Sequence, residues 1–408
     1  MKILILAESL RINCTSSGIV SSTMINALVE QGNSVTCLYE NSVQEKITWL
    51  PKVKLHPVNY NHKESFLEKI PKLKGVLSFI YGYSLKFKFK IASWENKIVE
   101  ILKTSSFDLI IVLGSGSSFI PHYAMCKVKT DIPWVANFHD PYPMSLYPEP
   151  FRKKKNIIYA LQERSAKNII NKATYVSFPS LYLKDWMQGF FPILESKSIV
   201  LPHLAGELKN LPTSDLDDKV NLPKAKFNLL HAGTLLGPRK VDALFKAIQI
   251  FIESDKEKKD KTILTILGKV SREHKEYFKK EFSENLNVVV DRVSYKKSLD
   301  LIEIADVSLV IEAGGVDFSP FMPGKLADLI GLEKPIFVLS PKKSETNRIL
   351  GNEYPFTSES DDIDKIVLIL NKMWDLWKKG NLHLSDSEKL KEYISGEKLD
   401  KKLHQLIK

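Results

Sequence analysis

Short apolar runs that alternate with helical segments limit the folds open to this chain more than any other feature. The run Lys2–Ala7 is followed by a polar loop, a helical segment over Ile19–Gln31 and a second apolar run at Ser34–Tyr39. This order predicts a βαβ unit with a right-handed crossover and a parallel sheet. The alternation continues along the chain, which predicts an α/β protein.

A polar, proline-marked connector divides the alternation into two series. It runs from Glu207 to Lys226, and we place the domain boundary near residues 203–225. The elements predicted before it are Phe107–Leu113, Pro133–Phe138, Gln162–Ala173, Tyr175–Phe178 and Ser198–Leu201. Those predicted after it are Asn228–Ala232, Val241–Glu253, Thr262–Leu267, Tyr277–Asn285, Asn287–Val290, Lys296–Ala305 and Ser308–Ile311.

A length of 408 residues is enough for each series to form its own core. We predict two Rossmann-like, doubly wound domains, over residues 1–205 and 206–390, with the carboxyl ends of their strands facing a cleft. Open α/β sheets bind ligands at those ends.

Composition narrows the class of protein. Cys14, Cys37 and Cys126 form an odd, sparse set, which indicates a reducing compartment and no disulfide framework. The net charge of +11 fits nucleic acid, an anionic membrane face or acidic substrates, and equally fits solvated lysine-rich surfaces. Without a base-reading motif we expect no nucleic acid partner. The first apolar run is too short for a signal peptide, and no run is long enough to span a bilayer.

The segment Ser319–Ser340 carries the clearest chemical signal. A proline and a glycine precede a short amphipathic helix, whose first turn offers free backbone N–H groups to an anion. Lys325 lies in that turn, where a structural helix favours an acid, and a diphosphate would offset the cation. Asp328, one turn further on, can accept hydrogen bonds from sugar hydroxyls. The spacing predicts a nucleotide-diphosphate site.

A second candidate phosphate contact opens the second series. Gly233 and Gly237 lie in the loop after its first strand, and Arg239 lies just before the next helix. A guanidinium there can bind phosphate oxygens bidentately. The alternative is a solvated arginine on a surface loop. We favour the phosphate contact because Lys325 follows a domain's length later.

These two segments resemble the donor-binding signature of GT-B glycosyltransferases of family 4 (glycosyl transferases group 1). The resemblance rests on the pattern S-P-x-x-P-x-K-x-x-[ED] followed by K-P-[IV], and on a G-x-L…R stretch. It implies that Arg239 and Lys325 contact the donor diphosphate and assist its departure, and that Asp328 binds the ribose. Gly233 and Leu326 belong to the same implied donor site.

The chain departs from the family pattern at two positions. Asp328 stands where the family usually has Glu, and Pro320 stands where the common form has a further Glu. The acidic stretches Asp215–Asp218 and Asp361–Asp364 fit loops or helix caps better than a metal site. We therefore expect no metal, and no cofactor beyond a sugar donor of the UDP or GDP type.

Two residues of the first domain fall at family positions near the reacting centre. Gly18 lies in the first βα loop, where the family has a glycine-rich loop; the alternative is a polar loop whose Ser caps the helix. The loop is not a G-x-G-x-x-G fingerprint, so a nicotinamide cofactor has no support. His139 follows a buried strand, and the family's histidine lies near the transferred sugar; a structural loop histidine is the alternative.

Glu312 ends a predicted strand beside the donor segment. A nucleotide or sugar contact and a turn acid are both open for it. Gly314 and Gly315 follow it, and they allow a ligand to approach the backbone closely.

The stretch Tyr81–Trp94 alternates cations with apolar residues. Family members with lipid-linked acceptors use such surfaces to dock on anionic membranes, and an edge strand guarded by lysines is the alternative. The C-terminal segments Ile363–Lys378 and Glu388–Ile407 resemble the family's closing helices. The resemblance implies that a helix within residues 391–408 returns to the first domain.

The resemblance implies a cytoplasmic enzyme, peripheral at the inner face of the membrane. It would transfer a hexose or aminohexose to an acceptor hydroxyl with retention, and the acceptor would be a surface polysaccharide or lipid-linked glycan. Two alternatives stay open. A nucleotide-sugar epimerase needs paired carboxylates in the cleft, and no convincing pair is present. A non-catalytic binding subunit is compatible with the two departures at Asp328 and Pro320.

Overall fold

Two parallel sheets organise the chain, each in its own unit of the computed structural model. The structure describes residues 1–41, 46–60, 85–116, 118–235, 237–274, 276, 285–289 and 293–407. Their contacts divide the chain into a first unit, Met1–Lys209 with Ser395–Lys408, and a second unit, Asn210–Ile394. The predicted helix Tyr277–Asn285 lies almost wholly outside the described residues.

The sheet of the first unit is parallel. Its described strands are β1 (Lys2–Ala7), β2 (Ser34–Glu40), β3 (Lys54–Val58), β4 (Leu109–Leu113), β5 (Trp134–Asn137), β6 (Tyr175–Phe178) and β7 (Ser198–Val200). Their order is β3-β2-β1-β4-β5-β6-β7. The chain moves outward from β1 and then restarts beside it with β4, so the topological switch lies between these two strands. Every position of β4 is buried, as expected for a strand covered on both faces.

The helices described between these strands are α1 (Ser16–Glu30), α2 (Leu85–Thr104), α3 (Ile120–Met125), α4 (Ile157–Lys172), α5 (Leu181–Gln188) and α6 (Leu194–Lys197). The edge-strand alternative for the stretch Tyr81–Trp94 is wrong from the start of α2; residues 81–84 lie outside the described ranges. Ile91, Trp94 and Ile98 are each 0% exposed, and their spacing buries one face of a helix. This longer period outweighs the brief alternation of Lys and Phe.

The second unit has the same design. Its described strands are β8 (Phe227–Ala232), β9 (Thr262–Leu267), β10 (Leu286–Val289), β11 (Val307–Ile311), β12 (Phe318–Ser319), β13 (Ile336–Leu339), β14 (Lys343–Ser344) and β15 (Thr357–Ser358). The main sheet has the order β10-β9-β8-β11-β13-β15, and β12 pairs with β14. The described helices are α7 (Asp242–Glu253), α8 (Lys256–Lys261), α9 (Tyr295–Ile304), α10 (Gly324–Gly331), α11 (Glu345–Leu350), α12 (Ile363–Lys378) and α13 (Ser387–Tyr393).

The predicted segment Glu388–Ile407 is two helices rather than one, because Ser395 accepts the Lys398 N–H and starts a new helix, α14 (Gly396–Leu406). This last helix packs in the first unit. Asn33 Nδ2 donates to Asp400 Oδ1 at 2.6 Å, and Lys402 Nζ donates to a carbonyl of β7 at 2.8 Å.

Strand bounds were the most accurate sequence predictions. Lys2–Ala7, Tyr175–Phe178 and Thr262–Leu267 are confirmed at both ends. Within the described ranges, no helix is both long and apolar enough to cross a bilayer.

Candidate active site

The donor segment contains a helix that begins without a cap. α10 starts at Gly324 after Pro323, with no side-chain cap and no acid in its first turn. By contrast, α9, α11 and α12 follow Ser294, Ser344 and Asp362, whose side chains each accept a backbone N–H. The first turn of α10 therefore keeps its partial positive charge available to an anion.

Three contacts hold Lys325 at the start of α10. Its ammonium donates to Ser298 Oγ at 3.0 Å, lies 3.5 Å from Asp328 Oδ2 and lies 4.9 Å from the centre of the Tyr295 ring. The Lys325 side chain is 28% exposed and that of Asp328 only 3%. Lys325 thus carries the charge of this cluster toward solvent.

The carboxylate of Asp328 already has protein partners. The Tyr295 hydroxyl donates to Asp328 Oδ1 at 2.7 Å, and Lys325 lies beside Oδ2. Burial, together with the neighbouring carboxylate, raises the pKa of the Tyr295 hydroxyl, so this group stays a donor. A ribose that binds Asp328 must share an oxygen with one of these partners, and the ribose contact stays a prediction.

Two other predicted donor residues have packing roles. Leu326 is 0% exposed and its N–H donates to the Pro323 carbonyl at 2.9 Å. Gly233 donates its N–H to the Leu267 carbonyl at 2.9 Å. A Cβ on Gly268, where φ is +131°, would lie 2.6 Å from the Gly233 carbonyl oxygen, so the loops after β8 and β9 pack closely. Donor contacts by Leu326 and Gly233 stay predictions.

Arg239 and Glu312 lie on loops that follow the neighbouring strands β8 and β11. The Arg239 guanidinium donates to the Thr234 carbonyl. Glu312 is 6% exposed and accepts hydrogen bonds from the hydroxyls of Ser319 and Thr346, the latter at 2.6 Å. Burial raises the pKa of Glu312 to about 7, although both hydroxyls and Arg239 oppose the rise. The Ser319 bond brings the donor segment to the same sheet edge as Arg239.

The glycines after β11 allow these loops to pack together. Gly314 donates its N–H to the Pro238 carbonyl at 3.0 Å. A side chain on Gly314 would collide with Ser360 Oγ, and a Cβ on Gly315, where φ is +70°, would lie 3.3 Å from Lys240 Nζ. These glycines therefore let the loops pack closely, and a close approach of a ligand to this backbone stays a prediction.

His231 was not singled out from the sequence. Its Nδ1 donates to the Leu309 carbonyl at 3.2 Å, so Nε2 carries the lone pair. This Nε2 is buried, has no hydrogen-bond partner in the described part of the chain, and lies 3.6 Å from where a Gly233 side chain would begin. Burial, with a contribution from Arg239, lowers the pKa of His231 to about 4. The sequence did offer one signal for it, because a titratable histidine occurs within the predicted buried strand Asn228–Ala232.

His139 lies in the first unit, after β5. Its ring centre is 5.8 Å from that of His203, which follows β7. Its Nε2 is buried and finds no hydrogen-bond partner among the residues the structure describes. Burial lowers the pKa of His139 to about 4 and that of His203 to about 3. Both rings are neutral at about pH 7, so His139 offers hydrogen bonding rather than charge.

Gly18 has a packing role at the start of α1. The Thr15 hydroxyl accepts the Gly18 N–H at 3.0 Å, so a threonine, rather than the predicted serine, caps the helix. A Cβ on Gly18 would lie 2.5 Å from the Arg11 carbonyl oxygen. The loop after β1 therefore needs glycine here, and a donor contact by Gly18 stays a prediction.

In each of the two acidic stretches, Asp215–Asp218 and Asp361–Asp364, one aspartate accepts hydrogen bonds within the fold. Asp217 accepts hydrogen bonds from the backbone N–H and the hydroxyl of Ser294, at 2.9 and 2.6 Å, and Asp362 caps α12. No group of His, Cys, Asp and Glu within the described ranges is arranged to hold a metal ion.

Solved structures share this arrangement of two sheets. A glycosyltransferase from Rickettsia africae ESF-5 has 12% identity and a TM-score of 0.62, over 100% of this chain and 97% of that chain. Anabaena HepE in complex with UDP-glucose has 12% identity and a TM-score of 0.62, over 99% and 98%. A trehalose-6-phosphate structure from E. coli bound with UDP-2-fluoro glucose has 11% identity and a TM-score of 0.60, over 100% and 99%. This likeness shows the two-domain GT-B fold.

The family model described as Glycosyltransferase Family 4 matches residues 19–204. Residues 19–204 are therefore similar to the family 4 glycosyltransferases. No curated protein matches the sequence. The matched residues include His139, whereas Arg239 and Lys325 lie beyond them, in the second unit.

Proposed function

We propose that this protein is a glycosyltransferase of the family 4 kind that moves a hexose or aminohexose from a nucleotide-diphosphate donor to an acceptor hydroxyl, without a metal and with retention at the anomeric carbon. The start of α10 carries the proposal, because an uncapped first turn and the partly exposed Lys325 ammonium occur together there. The Anabaena and E. coli structures contain UDP-glucose and UDP-2-fluoro glucose, which supports a UDP-type donor.

In the proposed reaction the bond from the anomeric carbon to the diphosphate oxygen breaks. A bond to the acceptor oxygen forms on the same face, and the acceptor proton passes to the departing diphosphate. Arg239 and Lys325 stabilise the negative charge that develops on the leaving group. The neutral His139 hydrogen-bonds the transferred sugar or orients the acceptor. The remaining donor contacts are assigned to Gly18, Gly233, Glu312, Leu326 and Asp328.

Thermal unfolding in the presence of UDP, GDP, ADP and their sugar conjugates tests the donor site. We expect one nucleotide series to raise the midpoint, since a ligand at about a hundredfold excess over its Kd adds about 2.7 kcal/mol. Arg239→Ala and Lys325→Ala should lose the shift. Arg272→Ala and Lys296→Ala are matched controls, because these exposed cations pair with Glu276 and Asp300. No shift with any nucleotide would overturn the proposal.

A non-catalytic binding subunit is the second candidate function. Two observations favour it: Asp328 is engaged by Tyr295 and Lys325, and Pro320 replaces the family's further Glu. Arg239→Ala separates the two candidates. In an enzyme, consumption of the sugar nucleotide should collapse, whereas a subunit should consume none in either form and lose only affinity.

We further propose a cytoplasmic location and an acceptor glycan of a surface polysaccharide or lipid-linked type, approached from an anionic membrane surface. The support is α2, on which Lys86 and Lys88 are exposed and Phe89 is 50% exposed. Co-sedimentation with phosphatidylglycerol vesicles should weaken in Lys86→Glu/Lys88→Glu and not in Lys103→Glu, at the far end of α2. If wild type, the double variant and Lys103→Glu bind the vesicles equally, α2 is not the membrane contact.

A further inference from the structure

Glu8 occupies the topological switch point of the first sheet. It follows β1 directly, and its N–H donates to the Leu113 carbonyl of β4 at 3.4 Å. In open α/β sheets, ligands bind in the crevice outside the carboxyl ends of the two strands that flank the switch. No role for Glu8 follows from the donor signature, which lies in the other unit.

The loops around Glu8 form a built polar site. The Ser17 and Ser115 hydroxyls lie 3.0 Å apart and join the first turn of α1 to the loop after β4. Ser118 and the Ser115 backbone N–H lie close enough to the Glu8 carboxyl to lower its pKa, against the larger effect of burial. Its Oε2 atom is buried and has no hydrogen-bond partner in the described part of the chain. Buried polar atoms are nearly always paired, so this oxygen is open to a hydrogen bond from a ligand.

The charges near Glu8 select the kind of ligand. Glu40, at the end of β2, accepts hydrogen bonds from Lys90 Nζ at 2.9 Å and from the Tyr60 hydroxyl at 3.1 Å. The Lys90 ammonium is therefore already paired, and among the described residues of this cluster no other cation is left to neutralise an anion. Burial also raises the pKa of Glu8 to about 7, so its carboxyl can donate as well as accept a hydrogen bond.

We propose that Glu8 binds a hydroxyl of the acceptor, and that the acceptor pocket outside β1 and β4 takes an uncharged sugar. The inference rests on the proposed function in naming this sugar the acceptor. Glu8 is then an acceptor-binding residue that the family resemblance did not supply. A buried carboxyl at this edge discriminates sugars well, because an analogue without the matching hydroxyl leaves the carboxyl unpaired.

Saturation-transfer NMR with methyl glycosides of glucose, galactose, mannose, N-acetylglucosamine and glucuronic acid tests the pocket on the full chain. We expect wild type to bind at least one neutral glycoside and to disfavour the glucuronide. Glu8→Ala and Glu8→Gln should weaken that binding about tenfold. Glu30→Gln is the matched control, because Glu30 is an exposed partner of Lys52 in the same unit. Equal binding by wild type and Glu8→Ala, binding of no neutral glycoside, or preference for the glucuronide would each overturn the proposal.

The UDP-dependent rise in unfolding midpoint separates this inference from the proposed function. Glu8→Gln should keep that rise, which also shows that the variant folds. If wild type lacks the UDP rise but loses glycoside binding in Glu8→Ala, the donor proposal fails and the Glu8 sugar site stands. If UDP raises the midpoint and Glu8→Ala leaves glycoside binding unchanged, the donor proposal stands and the Glu8 sugar site fails.

Discussion

At the scale of single residues, the buried carboxyls Glu8 and Glu312 each add a pH dependence to the stability of the fold. Burial raises the pKa of each from 4.5 to about 7. Between these two values the folded chain holds protons that the unfolded chain has lost, so stability falls as pH rises through this window. Below about pH 4.5 both states are protonated and the penalty disappears.

Glu312→Gln tests this sign. The amide cannot ionise, so we expect the variant to lose part of the fall in unfolding free energy between about pH 5 and about pH 8, up to about 3 kcal/mol. Arg239, Ser319 and Thr346 oppose the raised pKa, and Glu345 adds to it. Urea unfolding at both pH values measures the effect, with the exposed Glu353→Gln as control. A pH slope equal to that of wild type contradicts the prediction.

The pair Tyr295–Asp328 decides whether Asp328 meets the ribose. Tyr295→Phe removes a buried hydrogen bond of 2.7 Å and should cost about 1–3 kcal/mol of stability while leaving a carboxylate oxygen open. If Asp328 binds ribose, calorimetry should show UDP affinity retained in Tyr295→Phe and lost about tenfold in Asp328→Asn. Equal losses in both would instead make Asp328 a positioning residue for Lys325.

At the scale of elements, local sequence fixes most of what is seen. α10 was predictable because its signal, Pro323-Gly324 ahead of an amphipathic run, is contained in a few residues. The interpretation of α2 was harder, since four alternating residues imitate a strand while the buried face of Ile91, Trp94 and Ile98 spans two turns. A window of four or five residues can show a strand-like alternation by chance, whereas the helical period of hydrophobic residues appears only over a longer stretch.

The start of α1 gives a prediction on packing. In Gly18→Ala the new Cβ would lie 2.5 Å from the Arg11 carbonyl oxygen, so the loop after β1 must shift, at about 1–3 kcal/mol. Gly237→Ala is the control, because a Cβ there meets nothing within 4 Å. Thermal unfolding compares the two variants. If Gly18→Ala and Gly237→Ala have equal unfolding midpoints, the loop after β1 can move to accept the new Cβ without a cost in stability.

At the scale of the whole molecule, the sequence predicts residues and the topology predicts their neighbours. Lys325 and Arg239 were found because each lies in a recognisable local pattern. Tyr295 and His231 were not, because their partners are distant along the chain: Tyr295 and Asp328, for example, are joined only once α9 and α10 pack together. Glu8 likewise could not be singled out from the sequence, because only the strand order shows that it lies at the topological switch point.

The return of α14 to the first unit gives the last prediction. Leu403 is 0% exposed, and α14 also ties to the unit through Asn33 and Asp400. Leu403→Ala should therefore cost about 2–5 kcal/mol, and the exposed Gln405→Ala almost nothing. Because Arg239 and Lys325, which bind the diphosphate in the proposal, lie in the other unit, calorimetry should show unchanged UDP affinity. The loss of stability should fall on the unfolding transition that UDP does not raise. A shift of the UDP-sensitive transition by the same amount would show instead that both units unfold as one.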